Sequence, residues 1–362
     1  MKTLPPGSTI GILGGGQLAR MTALAAVRLG YPCHIFCASR EEPAMSVAAA
    51  HTIADFTDRA ALEKFASAVD VATIDWENIP TEALDIVAKR TSVYPSAKVL
   101  RVAQDRSEEK KFAREAGLGT ADFAVVHSPA ELEKALKNFT LPAILKATRM
   151  GYDGKGQVKI ETGTKPASAW KEMGGAEGIV ESFVPFACEI SVIIARRADG
   201  ASAAYPAVEN IHRNGILVET HAPANIDHAI AAEAEHLART LAEKLDVIGL
   251  LAVEMFVLKQ PNAQGRRVLM NEIAPRPHNS GHWTIDACAV SQFEQLVRAI
   301  CGLPLGAPAA HSRAVMHNLL GDEIKRWPEL LKEPNACLHI YGKAEACKGR
   351  KMGHVTWLKG AW

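Results

Sequence analysis

Residues 250–274 read LLAVEMFVLKQPNAQGRRVLMNEIA, two apolar runs separated by a polar segment that contains proline and glycine. Apolar runs of this length, bounded by turn residues, predict two strands, Leu250–Lys259 and Arg267–Ala274, joined as a hairpin. Each run carries one acidic residue, Glu254 in the first and Glu272 in the second. The stretch therefore predicts a hairpin with a carboxylate inside each strand.

Two carboxylates in neighbouring apolar strands repel each other and lose hydration. A divalent cation between them removes both problems. Because all the ligands on offer are oxygens, with Asn271 beside Glu272, the pattern favours magnesium that also contacts substrate phosphates. The alternative is that Glu254 and Glu272 both face solvent on an amphipathic sheet.

A glycine-rich segment, GYDGKGQ at 151–157, lies between two predicted strands, Pro142–Ala147 and 158–160. A P-loop needs a helix after it and a GK[ST] ending, so this segment is not a P-loop. Its backbone N–H groups and Lys155 are suited to close over phosphates. Lys146, inside the preceding apolar strand, is costly to bury without an anion. The pattern predicts a phosphate-covering flap, and an ordinary exposed turn is the alternative.

The first hundred residues alternate strand and helix patterns. Strands at Ser8–Leu13, Cys33–Ala38 and Val71–Asp75, each followed by a helical pattern, predict a parallel sheet covered on both faces. Glycines 14–16 stand between the first strand and its helix, where an anion can approach free N–H groups. Because Arg40, and no acidic residue, follows the second strand, an NADP site stays open beside another phosphate site or a structural turn.

Two further patterns lie near the C-terminal end. The spacing of apolar residues predicts one helix over Asp286–Ile300. Residues 310–362 contain short strand-like pieces and a basic cluster at 348–351.

His278 and His282 are four residues apart, the spacing of a helical zinc pair. A proline and a glycine beside them argue against a helix, and Asn279 stands where zinc peptidases carry glutamate. We therefore expect a polar substrate loop here, with the neighbouring Arg276 holding an anion.

Composition excludes several classes of protein. The 362 residues include 41 Lys plus Arg and 40 Asp plus Glu, a balance that argues against a nucleic-acid-binding protein. No apolar run approaches the ~18 residues of a membrane span, and the N-terminus does not resemble a signal peptide. The 7 cysteines form no CxxC pair, which favours reduced thiols in a cytoplasmic protein.

The strand lysine, the glycine flap, ESFV at 181–184 with Glu189, and the two acidic strands together resemble the ATP-grasp superfamily. The segments GGGQLARM (14–21), YDGKGQ (152–157), NEIAPRPHNSGH (271–282) and RKMGH (350–354) resemble more closely its N5-carboxyaminoimidazole ribonucleotide synthase family. One departure is Ala19, where many members carry glycine. The resemblance covers essentially the whole chain.

The resemblance implies a fold of mixed α/β and α+β class. It places an N-terminal parallel βαβ (Rossmann-like) domain at 1–105, an ATP-grasp domain at 106–302 and a small C-terminal β-rich domain at 303–362. A mobile lid is expected at about 119–184. The family also implies a homodimer, and neither nucleic acid nor membrane is expected as a partner.

The resemblance also implies which residues bind each substrate. Arg106 and Lys146 contact the phosphates of ATP. The flap that closes over these phosphates is formed by Gly151, Tyr152, Asp153, Gly154, Lys155, Gly156 and Gln157. The other ATP residues are Glu181, Ser182, Phe183 and Val184 for adenine, Glu189 for ribose, and His212, Asn271 and Glu272. Glu254 and Glu272 hold Mg²⁺. The aminoimidazole ribonucleotide meets Gly15, Gln17, Glu77, Tyr152 and Asp153, with Lys343, Arg350 and Lys351 around its phosphate.

The implied reaction is ATP- and bicarbonate-dependent carboxylation of 5-aminoimidazole ribonucleotide through carboxyphosphate, in purine biosynthesis. Asp153 is the expected base, with Tyr152 and Arg276 as the other catalytic residues. Three alternatives stay open: a sister ATP-grasp ligase such as a formate-dependent glycinamide ribonucleotide transformylase or biotin carboxylase, an NADP oxidoreductase, and a non-catalytic nucleotide-binding module.

Overall fold

The computed structural model describes residues 3–151, 155–174 and 177–361, and the elements below belong to these ranges. The N-terminal part is a parallel sheet of five strands, in the order β3-β2-β1-β4-β5. The strands are β1 (Ile10–Leu13), β2 (Cys33–Cys37), β3 (Ala50–Ile53), β4 (Val71–Ile74) and β5 (Ser92–Tyr94). The helices are α1 (Gln17–Arg28), α2 (Arg59–Ala66), α3 (Thr81–Val87) and α4 (Ala97–Ala103). Adjacent residues Ile12 and Leu13 are buried in different clusters, so both faces are covered as predicted.

The strand order places a crevice between β1 and β4. The chain leaves β1 toward β2 and β3 on one side, then crosses to β4 and β5 on the other. Ligands of open α/β sheets bind outside the carboxyl ends of the strands at such a reversal. Residues 14–16 follow β1 and residues 75–77 follow β4, so both segments border this crevice.

A second, antiparallel sheet of four strands in the described ranges has the order β6-β9-β7-β8. Its elements are α5 (Arg106–Glu115), β6 (Phe123–Val126), α6 (Pro129–Leu136), β7 (Ala143–Ala147), β8 (Gln157–Ile160), α7 (Pro166–Met173) and β9 (Gly178–Ser182). Strands β7 and β8 pair antiparallel from Lys146 opposite Gln157 to Ala143 opposite Ile160, so the two strands expected on either side of the glycine-rich segment are hydrogen-bonded neighbours.

The third and largest sheet follows the order β15-β14-β10-β12-β13-β16-β18-β17, with β11 paired to β10. Its strands are β10 (Phe186–Arg196), β11 (Ser202–Ala204), β12 (Val208–Arg213), β13 (Ile216–Ala222), β14 (Gly249–Leu258), β15 (Val268–Ala274), β16 (Ser312–Leu320), β17 (Ala336–Ile340) and β18 (Lys351–Ala361). The helices are α8 (His228–Lys244), α9 (Thr284–Ala287), α10 (Gln292–Ile300) and α11 (Trp327–Leu330). Strands β16, β18 and β17 thus continue the sheet beyond β13, although they follow the predicted domain limit at residue 302. The domain limits stay predictions.

Two apolar contacts fix the sheets relative to the helices. Helix α8 buries Ala234, Ala238 and Leu241 against strands β10 and β14. Helix α1 packs against α10, where Leu18 and Phe293 belong to one buried cluster. Helix α10 also packs on β10 and β14, so the α1–α10 contact joins the N-terminal sheet to the large sheet. Full burial of a leucine such as those in these contacts contributes about 1.5–3 kcal/mol.

The prediction of one helix over Asp286–Ile300 is wrong. Helix α9 ends at Ala287, because Cys288 is extended and forms a bridge with Ala310. Ser291 then accepts the N–H of Glu294 and caps a new helix. Serine is a common N-cap, but it also occurs inside helices. The spacing of apolar residues alone does not show that a new helix begins at Ser291.

Strands β3, β5, β6, β11 and β12 are not predicted by the sequence pattern. They have 3 to 6 residues each, and β3 is largely exposed, so neither length nor alternation distinguishes them from loops. The short strand-like pieces expected after residue 310 are long strands of 9 and 11 residues in β16 and β18. None of the helices in the described ranges is long and apolar enough to cross a membrane.

Candidate active site

A cavity of about 1230 Å³ lies where the three sheets meet. Among the described residues, those predicted for the site line this cavity, with the exception of Gly156. They are Gly15, Gln17, Glu77, Arg106, Lys146, Gly151, Lys155, Gln157, Glu181, Ser182, Phe183, Val184, Glu189, His212, Glu254, Asn271, Glu272, Arg276, Lys343, Arg350 and Lys351. Tyr152, Asp153 and Gly154 lie outside the described residues.

The two acidic strand residues face each other. Glu254 on β14 is directly opposite Glu272 on β15, next to a β-bulge, which confirms the predicted hairpin. Each carboxylate has a basic neighbour: Glu254 Oε1 lies 2.9 Å from His278 Nε2, and Glu272 Oε2 lies 2.7 Å from Arg106 Nη1. Burial raises the pKa of Glu272, but the Arg106 guanidinium outweighs it and holds the pKa below its usual value. Glu272 is therefore ionised at neutral pH.

The oxygen atoms around this pair suit a hard cation. Asn271 precedes Glu272, and its Oδ1 atom is buried with no hydrogen-bond partner among the described residues. An unsatisfied buried oxygen is costly, and a bound cation satisfies it. Two carboxylates and one amide oxygen are ligands that Mg²⁺ prefers. The residues present therefore fit the predicted magnesium site.

Lys146 is not exposed but paired, as expected for a lysine in an apolar strand. Its Nζ donates to Glu181 Oε2 at 2.9 Å, and Lys110 Nζ lies 3.2 Å from the other carboxylate oxygen. Burial raises the pKa of Glu181, but the ammonium groups of Lys146 and Lys110 outweigh it and lower the pKa to about 2. Lys110 also donates to the carbonyl of Asn271 at 3.2 Å. This buried triad links the four-stranded sheet to the acidic hairpin.

The segment 181–184 and the pair Glu189–His212 border another part of the cavity. The N–H of Ser182 already donates to the carbonyl of Asp122 at 2.8 Å, so this group is not available to adenine. Glu189 Oε2 lies 3.2 Å from His212 Nδ1. Burial lowers the pKa of His212, but Glu189 outweighs it and the net shift is upward.

Arg276 is held by an acidic residue from the N-terminal sheet. Its Nη2 donates to Glu77 Oε1 at 2.7 Å, and its Nε donates to the other carboxylate oxygen. Burial raises the pKa of Glu77, but Arg276 outweighs it and lowers the pKa. In this structure Arg276 is paired with a carboxylate of the chain itself, and the bidentate pair fixes both side chains in the cavity wall.

The basic residues near the C-terminus form the rim beside the N-terminal crevice. Lys343, Arg350 and Lys351 all line the cavity, and Lys351 is the first residue of β18. Arg350 Nη1 donates to the carbonyl of Glu345 at 3.2 Å. Three cations at one rim attract a phosphate, because phosphate affinity grows with local positive charge.

The first glycine loop holds an internal carboxylate. The N–H of Gly16 donates to Asp75 Oδ2 at 2.6 Å, so this group is not available to a phosphate. A Cβ at Gly14, whose φ is +105°, would lie 1.6 Å from Asp75 Oδ1, so the glycine is required there. Burial raises the pKa of Asp75 to about 7. Arg40, the residue that kept an NADP site open, is exposed and does not line the cavity.

Sequence reasoning missed Asp75, Glu109 and Lys110. Asp75 ends a predicted strand, and its place at the carboxyl end of β4 was the available signal. Glu109 accepts the N–H of Ile273 at 2.6 Å, and burial raises its pKa. Glu109 and Lys110 belong to the charged helix α5, where the sequence offers no signal that these two side chains are buried.

Three family profiles match the chain. The ribonucleotide synthetase preATP-grasp domain matches residues 7–104, the ATP-grasp domain residues 111–293, and the phosphoribosylaminoimidazole carboxylase C-terminal domain residues 314–361. Together these matches span the three parts of the chain that surround the cavity.

Individual relatives match over nearly the whole chain. The N5-carboxyaminoimidazole ribonucleotide synthase of Brucella melitensis is 46% identical over 99% of this chain and 98% of its own length. The bifunctional purine synthesis protein purC/E of Dictyostelium discoideum is 45% identical over 98% of this chain, which spans 37% of that longer protein. The crystal structure of the Aspergillus clavatus N5-carboxyaminoimidazole synthase, in complex with ADP and 5-aminoimidazole ribonucleotide, has a TM-score of 0.90 at 32% identity. The match covers 98% of this chain and 94% of that one.

Proposed function

This chain belongs to the N5-carboxyaminoimidazole ribonucleotide synthase family of ATP-grasp ligases, and we propose that it carboxylates 5-aminoimidazole ribonucleotide with ATP and bicarbonate. One observation carries the proposal: the acidic pair, the cationic side chains and the crevice at the carboxyl ends of the N-terminal strands all line one cavity. The acidic pair suits Mg²⁺, and the cations suit phosphates. The Aspergillus relative binds ADP and the ribonucleotide together, which supports two substrate halves in one cavity.

The ATP half lies between the four-stranded sheet and the large sheet. Lys146 and Arg106 contact the phosphates, and both are already oriented by carboxylates, Glu181 and Glu272. Their charges stabilise the negative charge that develops during phosphoryl transfer. Glu189 accepts the ribose hydroxyls, and the backbone of 183–184 lies beside adenine.

Glu254, Glu272 and Asn271 hold Mg²⁺, which supplies charge neutralisation of the ATP phosphates. Glu272 Oε2 also lies 2.7 Å from Arg106 Nη1 and orients it. The same carboxylate thus serves both the metal site and a phosphate-binding arginine. His278 lies 2.9 Å from Glu254 and orients that carboxylate toward the cavity.

The ribonucleotide half lies over the crevice between β1 and β4. Gly15 and Gln17 at the start of α1, together with Glu77, line the wall there, and Lys343, Arg350 and Lys351 bind the phosphate. Arg276, held by Glu77, lines the same cavity, and its guanidinium stabilises the negative charge of carboxyphosphate.

The reaction has three steps. A bicarbonate oxygen attacks the γ-phosphorus, ADP leaves, and carboxyphosphate forms. Carboxyphosphate then breaks into carbon dioxide and phosphate inside the closed cavity, where exclusion of water protects it. The exocyclic amine of the ribonucleotide attacks the carbon dioxide, and a base takes the amine proton to leave the carbamate.

We assign that base to Asp153, with Tyr152 beside it, on the family resemblance. Both lie outside the described residues, but the residues on either side, Gly151 and Lys155, line the cavity. A base carried by a flap reaches the substrate amine only when the flap closes. Proton transfer therefore occurs only when water is excluded from the cavity.

The homodimer and the cytoplasmic location are further parts of this proposal. The seven cysteines, which all fall in the described ranges, are free thiols, and that supports a reducing compartment.

Phosphate release by the purified chain, measured with each acceptor in turn, tests the proposal. We expect ATP cleavage that depends on 5-aminoimidazole ribonucleotide and bicarbonate together. Release that depends instead on glycinamide ribonucleotide with formate, or on biotin, would replace this function by that of a sister ligase.

A further inference from the structure

A second cluster of metal-ligating side chains lies behind the basic rim, outside the magnesium site. Asp286 comes from α9, His339 from β17 and His354 from β18, where His339 and His354 are direct cross-strand partners. One ligand atom from each of the three residues lies within 4.8 Å of the others. The closest pair is His339 Nε2 and Asp286 Oδ2, which are 2.9 Å apart.

One ring nitrogen of His354 lacks a hydrogen-bond partner among the described residues. Its side chain is fully buried, and its Nδ1 lies 2.8 Å from the hydroxyl of Tyr341. The other ring nitrogen, Nε2, is buried and has no hydrogen-bond partner among the described residues. A buried ring nitrogen without a partner is unfavourable, so this position favours a group that can satisfy it.

The surroundings of His354 suit a metal ligand. A metal-bound histidine is neutral, and its second nitrogen is commonly held by a hydrogen-bonding group, which is the place of Tyr341 here. Burial lowers the pKa of His354 well below its usual value, which keeps the ring neutral. His282 packs beside it, with ring centroids 4.9 Å apart, and its Nε2 is likewise buried without a partner among the described residues.

We propose that Asp286, His339 and His354 bind a divalent transition metal ion of the Zn²⁺ type. Two imidazoles and one carboxylate, with one position left for water, are a ligand set that zinc uses in proteins. Asp286 and His339 are partly exposed, so the ion has a path of entry from solvent. Binding requires the rings of His339 and His354, now stacked with centroids 4.5 Å apart, to turn their nitrogens toward one point.

Such an ion has a structural role in the rim. It ties β17 and β18 to α9, and the turn between these two strands carries Lys343 and Arg350, with Lys351 opening β18. We therefore expect the metal to stabilise the ribonucleotide-phosphate side of the cavity without taking part in phosphoryl transfer.

Zinc binding to the untagged full chain, in excess Mg²⁺, tests the proposal by calorimetry together with a zinc-edge anomalous map. We expect one equivalent of Zn²⁺, a density peak between Asp286, His339 and His354, and a zinc-dependent rise in Tm. Asp286→Asn keeps the size of the side chain and should weaken zinc affinity at least tenfold, and His339→Gln should do the same. The melting curve of each variant without zinc shows that it folds.

Two matched controls locate the ion. Glu254→Gln, at the magnesium site, should leave the zinc affinity unchanged, as should His236→Gln on the surface of α8. The proposal is overturned if the wild-type chain takes up no stoichiometric zinc. It is equally overturned if zinc binding is lost in Glu254→Gln but kept in Asp286→Asn. Neither result changes the proposed function, since that function rests on other residues.

Discussion

Replacing Glu181 by glutamine tests whether the buried triad positions Lys146. The substitution keeps the shape of the side chain and removes the charge that lies 2.9 Å from Lys146 and 3.2 Å from Lys110. Both ammonium groups are then left in a site that solvent hardly reaches, because Glu181 is 3% exposed and Lys110 is 1% exposed. We expect lower stability and a weaker hold on ATP.

The magnitude follows from the pKa of Glu181. Its net fall from 4.5 to about 2, which burial opposes, corresponds to about 3 kcal/mol in favour of the charged carboxylate among its cationic neighbours. Breaking a buried ion pair typically costs ~3–5 kcal/mol, which agrees. For 362 residues unfolding together, about 3 kcal/mol lowers Tm by about 4 °C, since the entropy of unfolding is near 2.1 cal/mol/K per residue.

The assay combines a melting curve with ATP kinetics. For Glu181→Gln we expect a Tm about 4 °C lower, and a KM for ATP at least tenfold higher, because Lys146 loses the partner that aims it. The matched control is Glu161→Gln, which removes an exposed ion pair to Lys159 in the same sheet region and should change Tm by less than about 1 °C. An unchanged Tm and KM in Glu181→Gln would refute the positioning role.

Four further predictions concern other parts of the cavity. Glu272→Gln should abolish ATP turnover while the protein still folds, and near-normal turnover at ordinary magnesium would remove the metal assignment. Lys351→Ala should mainly raise the KM for the ribonucleotide, since a phosphate contact is shared by ground and transition states; a change confined to the KM for ATP would move the basic rim to the other substrate. Asp153→Asn should keep ATP affinity and lower carboxylation by ~10²-fold or more, with phosphate released without product, whereas equal and normal rates of both would leave Asp153 only a turn residue. Burial raises the pKa of Asp75 to about 7, so the folded protein is favoured while Asp75 is protonated and loses that stability as pH rises through 7. The Tm of Asp75→Asn should therefore rise relative to the wild-type Tm between pH 5 and pH 8, and a constant difference would contradict the raised pKa.

The acidic hairpin was predictable because Glu254 and Glu272 break an otherwise apolar pattern. A charge inside a buried strand is costly, so the sequence itself marks the position as one that needs a partner. Lys146 was predictable for the same reason, and the structure gives it Glu181 as that partner.

Contacts between distant parts of the chain left no such mark. Arg276 and Glu77 are 199 residues apart, and the sequence around each of them gives no sign of their contact. Lys110 lies in a helix of charged residues, where burial depends on the sheets packed against it and not on periodicity. The break between α9 and α10 depends on a bridge from Cys288 to Ala310, which the local pattern does not contain.

The most direct test of the proposed function follows an oxygen atom. The chain is incubated with ATP, 5-aminoimidazole ribonucleotide and ¹⁸O-labelled bicarbonate, and the released phosphate and the carboxylated product are measured in one reaction. Attack by bicarbonate on the γ-phosphate predicts one ¹⁸O atom in each phosphate, with ADP, phosphate and product formed in equal amounts. Phosphate without the label, or ATP cleavage that is unaffected by omitting the ribonucleotide, would contradict the account.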